Sequence, residues 1–187
     1  MQSSKRIIAG IDEVGRGPLA GPVIACAVVI LPKSDLGNLS KLRDSKQLSF
    51  KQREEYYNIF KKHPGIQWGI GRVSEGVIDR INIYQATKLV MERAVRNLSK
   101  TVRPEFLYID GTMTIEIAIP QKAVVRGDET IQLCAMASIV AKVIRDRIMV
   151  RYHQKYLLHY LEYLKHIEHH LYKKHSQSVF QIHRTSL

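Results

Sequence analysis

Apolar residues fall along the chain in runs whose lengths and periods separate strands from helices. Ile7 to Val14 is apolar until it reaches Asp12 and Glu13, and Val23 to Leu31 is apolar without interruption. The first reads as a strand ending in acids and the second as a fully buried strand. The connection between them opens with Gly15-Arg16-Gly17-Pro18, a short glycine-rich turn that suits an antiparallel pair. Ser49, with Gln52 three residues on, forms a capping-box pattern at the start of a helix that His63-Pro64-Gly65 ends. Ile66 to Val73 alternates apolar residues with Gln and glycine and predicts a third strand. From Val77 to Leu98, Ile78, Ile81, Leu89, Val90, Ala94, Val95 and Leu98 recur at helical spacing and predict one long helix. Two short strands follow, Glu105 to Gly111 and Lys122 to Asp128, each ending in an acid, and then a second long helix from Glu129 to about Tyr152. Residues 155 to 175 contain neither glycine nor proline and read as continuous helix. This order predicts an α/β or α+β layered domain around a mixed sheet.

Charge narrows the range of partners. The 187 residues suffice for one domain with a sizeable core, or one domain with a helical appendage. A formal net charge of +12 favours a polyanion. No basic amphipathic run with a clean apolar face and no lipidation signal accompanies it, so nucleic acid is expected rather than a membrane. Cys26 and Cys134 lie in apolar runs and belong to no C-x-x-C pair, which predicts buried free thiols in a reducing compartment. The N-terminus MQSSKRIIAG lacks the apolar core of a leader, and no apolar run approaches the ~20 residues of a membrane span. A cytoplasmic location follows by default.

The chemistry is carried by a repeated feature. Ile11-Asp12-Glu13, Tyr108-Ile109-Asp110-Gly111 and Arg126-Gly127-Asp128 each put a carboxylate at the end of an apolar strand or just beyond it. A carboxylate buried alone is costly, so it is paired, neutralised or bound to a cation. If the three strands are neighbours, the acids form one cluster and raise each other's pKa unless a cation sits among them. A hard divalent ion such as Mg²⁺ is the natural occupant, and two such ions ~3.5–4 Å apart would clamp a phosphodiester for in-line hydrolysis. Side chains alternate faces along a strand. Asp12 and Glu13 therefore share a site only if the strand ends or bulges at Glu13; otherwise one of them does another job. On the second long helix, Ser138, Lys142 and Arg145 recur at i, i+4 and i+7 and predict a phosphate-contacting stripe, with Asp146 placed to pair with Lys142.

Taken together, several blocks resemble ribonuclease HII. They are Ile11-Asp12-Glu13-Val14-Gly15-Arg16-Gly17-Pro18-Leu19-Ala20-Gly21-Pro22-Val23, Asp44-Ser45-Lys46-Gln47-Leu48-Ser49, Asn82-Ile83-Tyr84-Gln85-Ala86-Thr87, Tyr108-Ile109-Asp110-Gly111, Gly127-Asp128, and the helix from Ala137 to Arg147. They occur in that family's order. The resemblance implies a ribonuclease H-like α/β fold, a central mixed five-stranded sheet flanked by helices, in residues 1–152. Residues 153–187 would be a helical extension packed on the same domain. It implies a monomeric endonuclease, dependent on Mg²⁺ or Mn²⁺, that hydrolyses the RNA strand of RNA/DNA hybrids. The same family incises at single ribonucleotides in duplex DNA, leaving 5′-phosphate and 3′-hydroxyl ends. The family's metal-binding carboxylates fall on Asp12, Glu13, Asp110 and Asp128. Its element that senses the ribose 2′-OH falls on Gly15, Arg16 and Gly17, and Lys46 falls on a lysine near the substrate backbone. The family's Lys-Gly-Tyr-x-Thr loop has no counterpart in residues 155 to 175, and the resemblance returns at Ile182-His183-Arg184-Thr185-Ser186. A binding module with impaired catalysis is therefore a second reading, against which the four retained acids speak. A DNA nuclease of the same superfamily is a third, against which Gly15-Arg16-Gly17 speaks.

Overall fold

A computed structural model describes residues 6–18, 20–32, 34, 37 and 48–182, with side chains described to residue 157. The chain divides into two compact units, Met1–Asp146 and Arg147–Leu187. The first holds strands β1 (Ile8–Val14), β2 (Val23–Ile30), β3 (Ile66–Val73), β4 (Phe106–Asp110) and β5 (Gln121–Val124). It also holds helices α1 (Phe50–Lys62), α2 (Glu75–Leu98) and α3 (Gly127–Thr130), and the start of α4 (Gln132–Ile182). The second unit is the continuation of α4, in which the Tyr152 and Tyr156 rings meet edge to face at 5.8 Å. No helix among the described residues is long and apolar enough to cross a membrane.

The sheet is five-stranded and mixed, in the order β3-β2-β1-β4-β5. The glycine-rich turn joins β1 to β2 antiparallel, while β4 pairs with β1 in parallel and β5 with β4 in parallel. Strand β2, with Val23 to Val29 wholly buried, is covered on both faces. Alternation assigns the two faces. Ala9, Ile11, Val23, Ala25, Ala27 and Val29 join Val90, Ala94 and Leu98 of α2 in one cluster. The backbones approach so closely there that a Cβ on Gly69 or Gly71 would overlap the α2 backbone at Leu98 or Val90. The opposite face carries α1, whose Tyr57 ring lies 6.0 Å from that of Trp68, and the start of α4, whose backbone at Leu133 and Cys134 fills the space a side chain at position 10 would need. Both cysteines are buried and free, and burial pushes the Cys134 thiol up to about 12, so it stays protonated and inert at neutral pH.

Two helices differ from the sequence expectation. Helix α2 is broken at Asn82, which stands at φ 64, ψ 166. Its side-chain oxygen accepts the Gln85 N–H at 3.1 Å and so caps the second half. Apolar periodicity runs through the break because both halves bury the same face. That backbone region is nearly exclusive to glycine and costs about 1–3 kcal/mol for another residue, whereas glycine replaces asparagine as a cap at a cost of only a few tenths. Asn82→Gly is accordingly expected to stabilise the protein by about 1 kcal/mol, read from the midpoint of chemical denaturation; a lower midpoint would contradict the strain. The second long helix begins at Gln132 rather than Glu129, because Ile131 is extended and separates it from α3.

Candidate active site

Adjacent strand ends bring the acids together. Ile11 lies opposite Ile109 in the parallel β1–β4 pair, so Asp12 and Asp110 follow side by side. In the next pair Asp110 lies opposite Val124. Strand β5 stops there, and Arg126, in the left-handed conformation at φ 55, turns the chain into α3. Asp128 consequently sits in the first turn of a helix, not at the end of a strand as its apolar approach suggested. The Gly127 N–H donates to Asp110 Oδ1 at 2.6 Å and ties these two acid-bearing segments together.

Asp12, Glu13, Asp110 and Asp128 line one concave pocket of about 370 Å³, together with Val14, Arg53, Ser138 and Lys142. Asp12 is only 6% exposed and Asp128 only 1%. The Asp12 carboxylate accepts the Glu13 N–H at 2.7 Å and the Ser138 hydroxyl. Burial holds its pKa well above the ordinary carboxylate range, and the charges of Glu13 and Asp110 raise it further, against the pull of those two hydrogen bonds. Burial also raises Glu13, opposed by Arg16, whose Nη1 donates to Glu13 Oε1 at 3.2 Å, and reinforced by Asp110. The alternation problem resolves without a bulge. Strand β1 keeps its ladder through Val14, Asp12 turns to Ser138 on α4, and Glu13 turns to Arg16, yet both acids border the pocket.

Such a set of hard oxygen donors carrying excess negative charge fits a divalent cation. Among the described residues no three histidine, cysteine or acidic side chains close on one point. An ion here would take one or two carboxylates and complete its shell with water or phosphate oxygens, as Mg²⁺ does.

Ser138 and Lys142 project from α4 into the pocket, and Lys142 Nζ donates to Asp146 Oδ1 at 2.9 Å. Arg145 departs from the expected stripe: it is buried, and its guanidinium is turned to the carbonyls of Ala20 and Pro22. Gly15 and Arg16 border a second cleft of about 140 Å³, with Pro18 and Gly21 on one side and Glu75, Ile78, Asp79 and Ile83 of α2 on the other. Gly17 is exposed on the same loop, and Lys46 lies outside the described residues. The sequence reading missed Arg53. This α1 residue lines the carboxylate pocket, donates from Nη1 to the Leu48 carbonyl, and places Nη2 3.9 Å from Asp146. Its place directly after the capping box, four residues beyond the Asp44–Ser49 block, was the available signal. Its acidic partner is too distant in sequence to mark it.

Comparison with known proteins decides the family. The ribonuclease HII family model matches residues 9–163. The chain belongs to the ribonuclease HII family. Ribonuclease HII of Enterococcus faecalis is 50% identical over 151 residues, which cover 81% of this chain and 56% of that protein. The Alkaliphilus metalliredigens protein is 48% identical over 153 residues, covering 80% of this chain and 72% of its own length. The chain thus spans little more than half of the first of these relatives. Among solved structures, ribonuclease HII in the PCNA complex from Archaeoglobus fulgidus is 32% identical, with a TM-score of 0.66 over 80% of this chain and 78% of that one. Ribonuclease H2 from Pyrococcus horikoshii is 27% identical with a TM-score of 0.63, over 80% and 77% of the two chains. The five-stranded sheet and flanking helices are accordingly a ribonuclease HII fold. The family match runs on to residue 163 and so includes Tyr160 and Tyr163, whose side chains lie outside the described residues.

Proposed function

We propose that this chain is a divalent-metal-dependent endonuclease that hydrolyses the RNA strand of RNA/DNA hybrids and incises duplex DNA at single ribonucleotides, leaving 5′-phosphate and 3′-hydroxyl ends. One observation carries the reading: four carboxylates from β1, β4 and α3 line a single pocket whose other wall is the basic pair Arg53 and Lys142. Family membership adds the substrate class. Asp12, Glu13, Asp110 and Asp128 would hold the metal, Mg²⁺ or Mn²⁺. When bound, the metal supplies an activated water and charge stabilisation at the leaving oxygen. The residues of the chain position that chemistry. Ser138 and the Glu13 N–H orient the Asp12 carboxylate, the Gly127 N–H orients Asp110, and Arg16 holds Glu13. Lys142 and Arg53 face the substrate phosphates, held by Asp146 between them. Gly15, Arg16 and Gly17 present the loop that meets the ribose, because a glycine backbone can approach a sugar closely and the 2′-OH is what distinguishes RNA from DNA. Lys46, which lies outside the described residues, matches a family lysine and would contribute a contact to the substrate backbone. The catalytic residues all lie in the first unit, and the enzyme works as a cytoplasmic monomer.

The test is cleavage of a DNA duplex with one embedded ribonucleotide, beside a continuous RNA/DNA hybrid and an all-DNA duplex, each with Mg²⁺, Mn²⁺ or EDTA. A metal-dependent cut on the 5′ side of the ribonucleotide and none in all-DNA is expected. Binding without cleavage under either ion would overturn the reading. Lys142→Ala is expected to weaken duplex binding about threefold to tenfold and to lower the slope of log K against log salt by about one, since it removes one phosphate contact. Fluorescence anisotropy across a salt series measures both; an unchanged slope would remove Lys142 from the phosphate path.

A further inference from the structure

Among the described residues Arg145 is the one buried basic side chain, 5% exposed. Its acceptors there are backbone carbonyls: Nε donates to Pro22 O at 3.0 Å and Nη2 to Ala20 O at 2.9 Å. Both belong to the loop that carries Gly15, Arg16 and Gly17. The loop closes on the guanidinium from its other end as well. Gly15 stands at φ +105, and a Cβ there would lie 2.6 Å from Arg145 Nε and 2.6 Å from Pro22 O. Position 15 is therefore glycine for two reasons, its left-handed backbone and the volume that Arg145 occupies.

A guanidinium in this position cannot reach a phosphate. Burying it is costly unless its donors are met, and the planar fork meets two carbonyls from two separate nitrogens held at a fixed separation, a geometry that a lysine ammonium reproduces only in part. What the fork fixes is the loop's shape. Arg16, on that loop, is half exposed and holds Glu13 at 3.2 Å. An exposed ion pair is weak by itself, so its geometry depends on a rigid loop. We propose that Arg145 is a positioning residue: from α4 it clamps the Gly15–Pro22 loop, so that Arg16 stays on Glu13 and the loop keeps its shape against the sugar at the cleavage site. This assignment rests on the endonuclease reading.

The variants are Arg145→Met, which removes the donors, and Arg145→Lys, which keeps charge and length. Each is assayed for cleavage of the single-ribonucleotide duplex and for amide hydrogen exchange without metal or substrate. R145M is expected to lower kcat/KM by about 100-fold, mostly through kcat, with R145K recovering about tenfold of that loss. In R145M the amides of Gly15, Arg16, Gly17, Ala20 and Gly21 are expected to exchange about tenfold faster while those of the five strands keep their protection. R145M cutting at the wild-type rate would overturn the proposal. So would strand amides that speed up as much as the loop, since Arg145 would then serve general stability. If the wild-type protein itself fails to cut, the endonuclease reading falls, and the exchange measurement still decides whether Arg145 clamps the loop.

Discussion

Replacing Asp12 with asparagine is expected to abolish cleavage while stabilising the metal-free protein. The first effect follows from position. Asp12 is nearly buried, lines the carboxylate pocket and feels the charges of both Glu13 and Asp110. Removing its charge removes the donor best placed for a hard cation, at a cost of on the order of 10³-fold or more in rate. The second effect follows from its pKa. Burial first, then the charges of Glu13 and Asp110, hold Asp12 well above the usual carboxylate range. A group with a raised folded pKa contributes stability below its unfolded pKa and loses it as pH rises through the folded value. At pH 7.5 in EDTA, well above its unfolded pKa, Asp12 therefore costs the fold stability. Asparagine keeps an oxygen to accept the Glu13 N–H but carries no charge. The variant is expected to melt on the order of 3 °C or more above wild type at pH 7.5. The gain should shrink as pH falls toward the ordinary Asp value and disappear below about pH 3, where Asp12 is protonated in both states. Saturating Mg²⁺ should narrow the gap, because the ion neutralises the wild-type cluster. Thermal melts at both pH values and a cleavage assay check all of this. A D12N protein less stable than wild type at pH 7.5 would mean that the carboxylate is not under the strain its surroundings imply.

Much of this arrangement was legible in the residues. Acids at the ends of apolar strands stand out because a lone buried carboxylate is expensive, and the β1–β4 pairing puts Asp12 beside Asp110 as neighbouring strands require. The Ser49 capping box forms as read, with the Ser49 N–H donating to Gln52 Oε1 at 2.8 Å. Less visible were features that depend on distant partners. Arg145 sits at helical spacing from Lys142, but its side chain is drawn to carbonyls at Ala20 and Pro22 rather than to solvent. Periodicity gives the face of a helix and not what waits opposite it. Asp128 looked like the end of a strand because the apolar run continues through Val125, although the β4–β5 ladder stops at Val124. Asn82 looked like any polar residue of a helix, since only backbone angles disclose the break.

Adding a single methyl group at Gly10 is expected to damage both stability and catalysis. A Cβ there would overlap the Leu133 carbonyl carbon and side-chain root and the Cys134 nitrogen, which are parts of the α4 backbone that cannot swing aside. Strand β1 cannot yield either, because it is paired on both edges, with β2 and with β4. Overpacking typically costs about 1–3 kcal/mol, and with two rigid partners Gly10→Ala is expected at the upper end, lowering the melting temperature by roughly 10 °C. The relief available is for α4 to move away from the sheet. That movement separates Ser138 and Lys142 from Asp12, which lies two residues along β1 on the face that Gly10 shares. A misplacement of ~1 Å at such a site costs on the order of 10²-fold in rate. Cleavage should therefore fall well below wild type even at temperatures where the variant is fully folded. Gly76→Ala supplies the contrast: a Cβ there meets open space in the first turn of α2, so the change should be neutral or stabilising by up to about 1 kcal/mol. If G10A instead melts and cuts like wild type, α4 is not seated on β1 at Gly10, and the placement of Ser138 and Lys142 over the acids would need another cause.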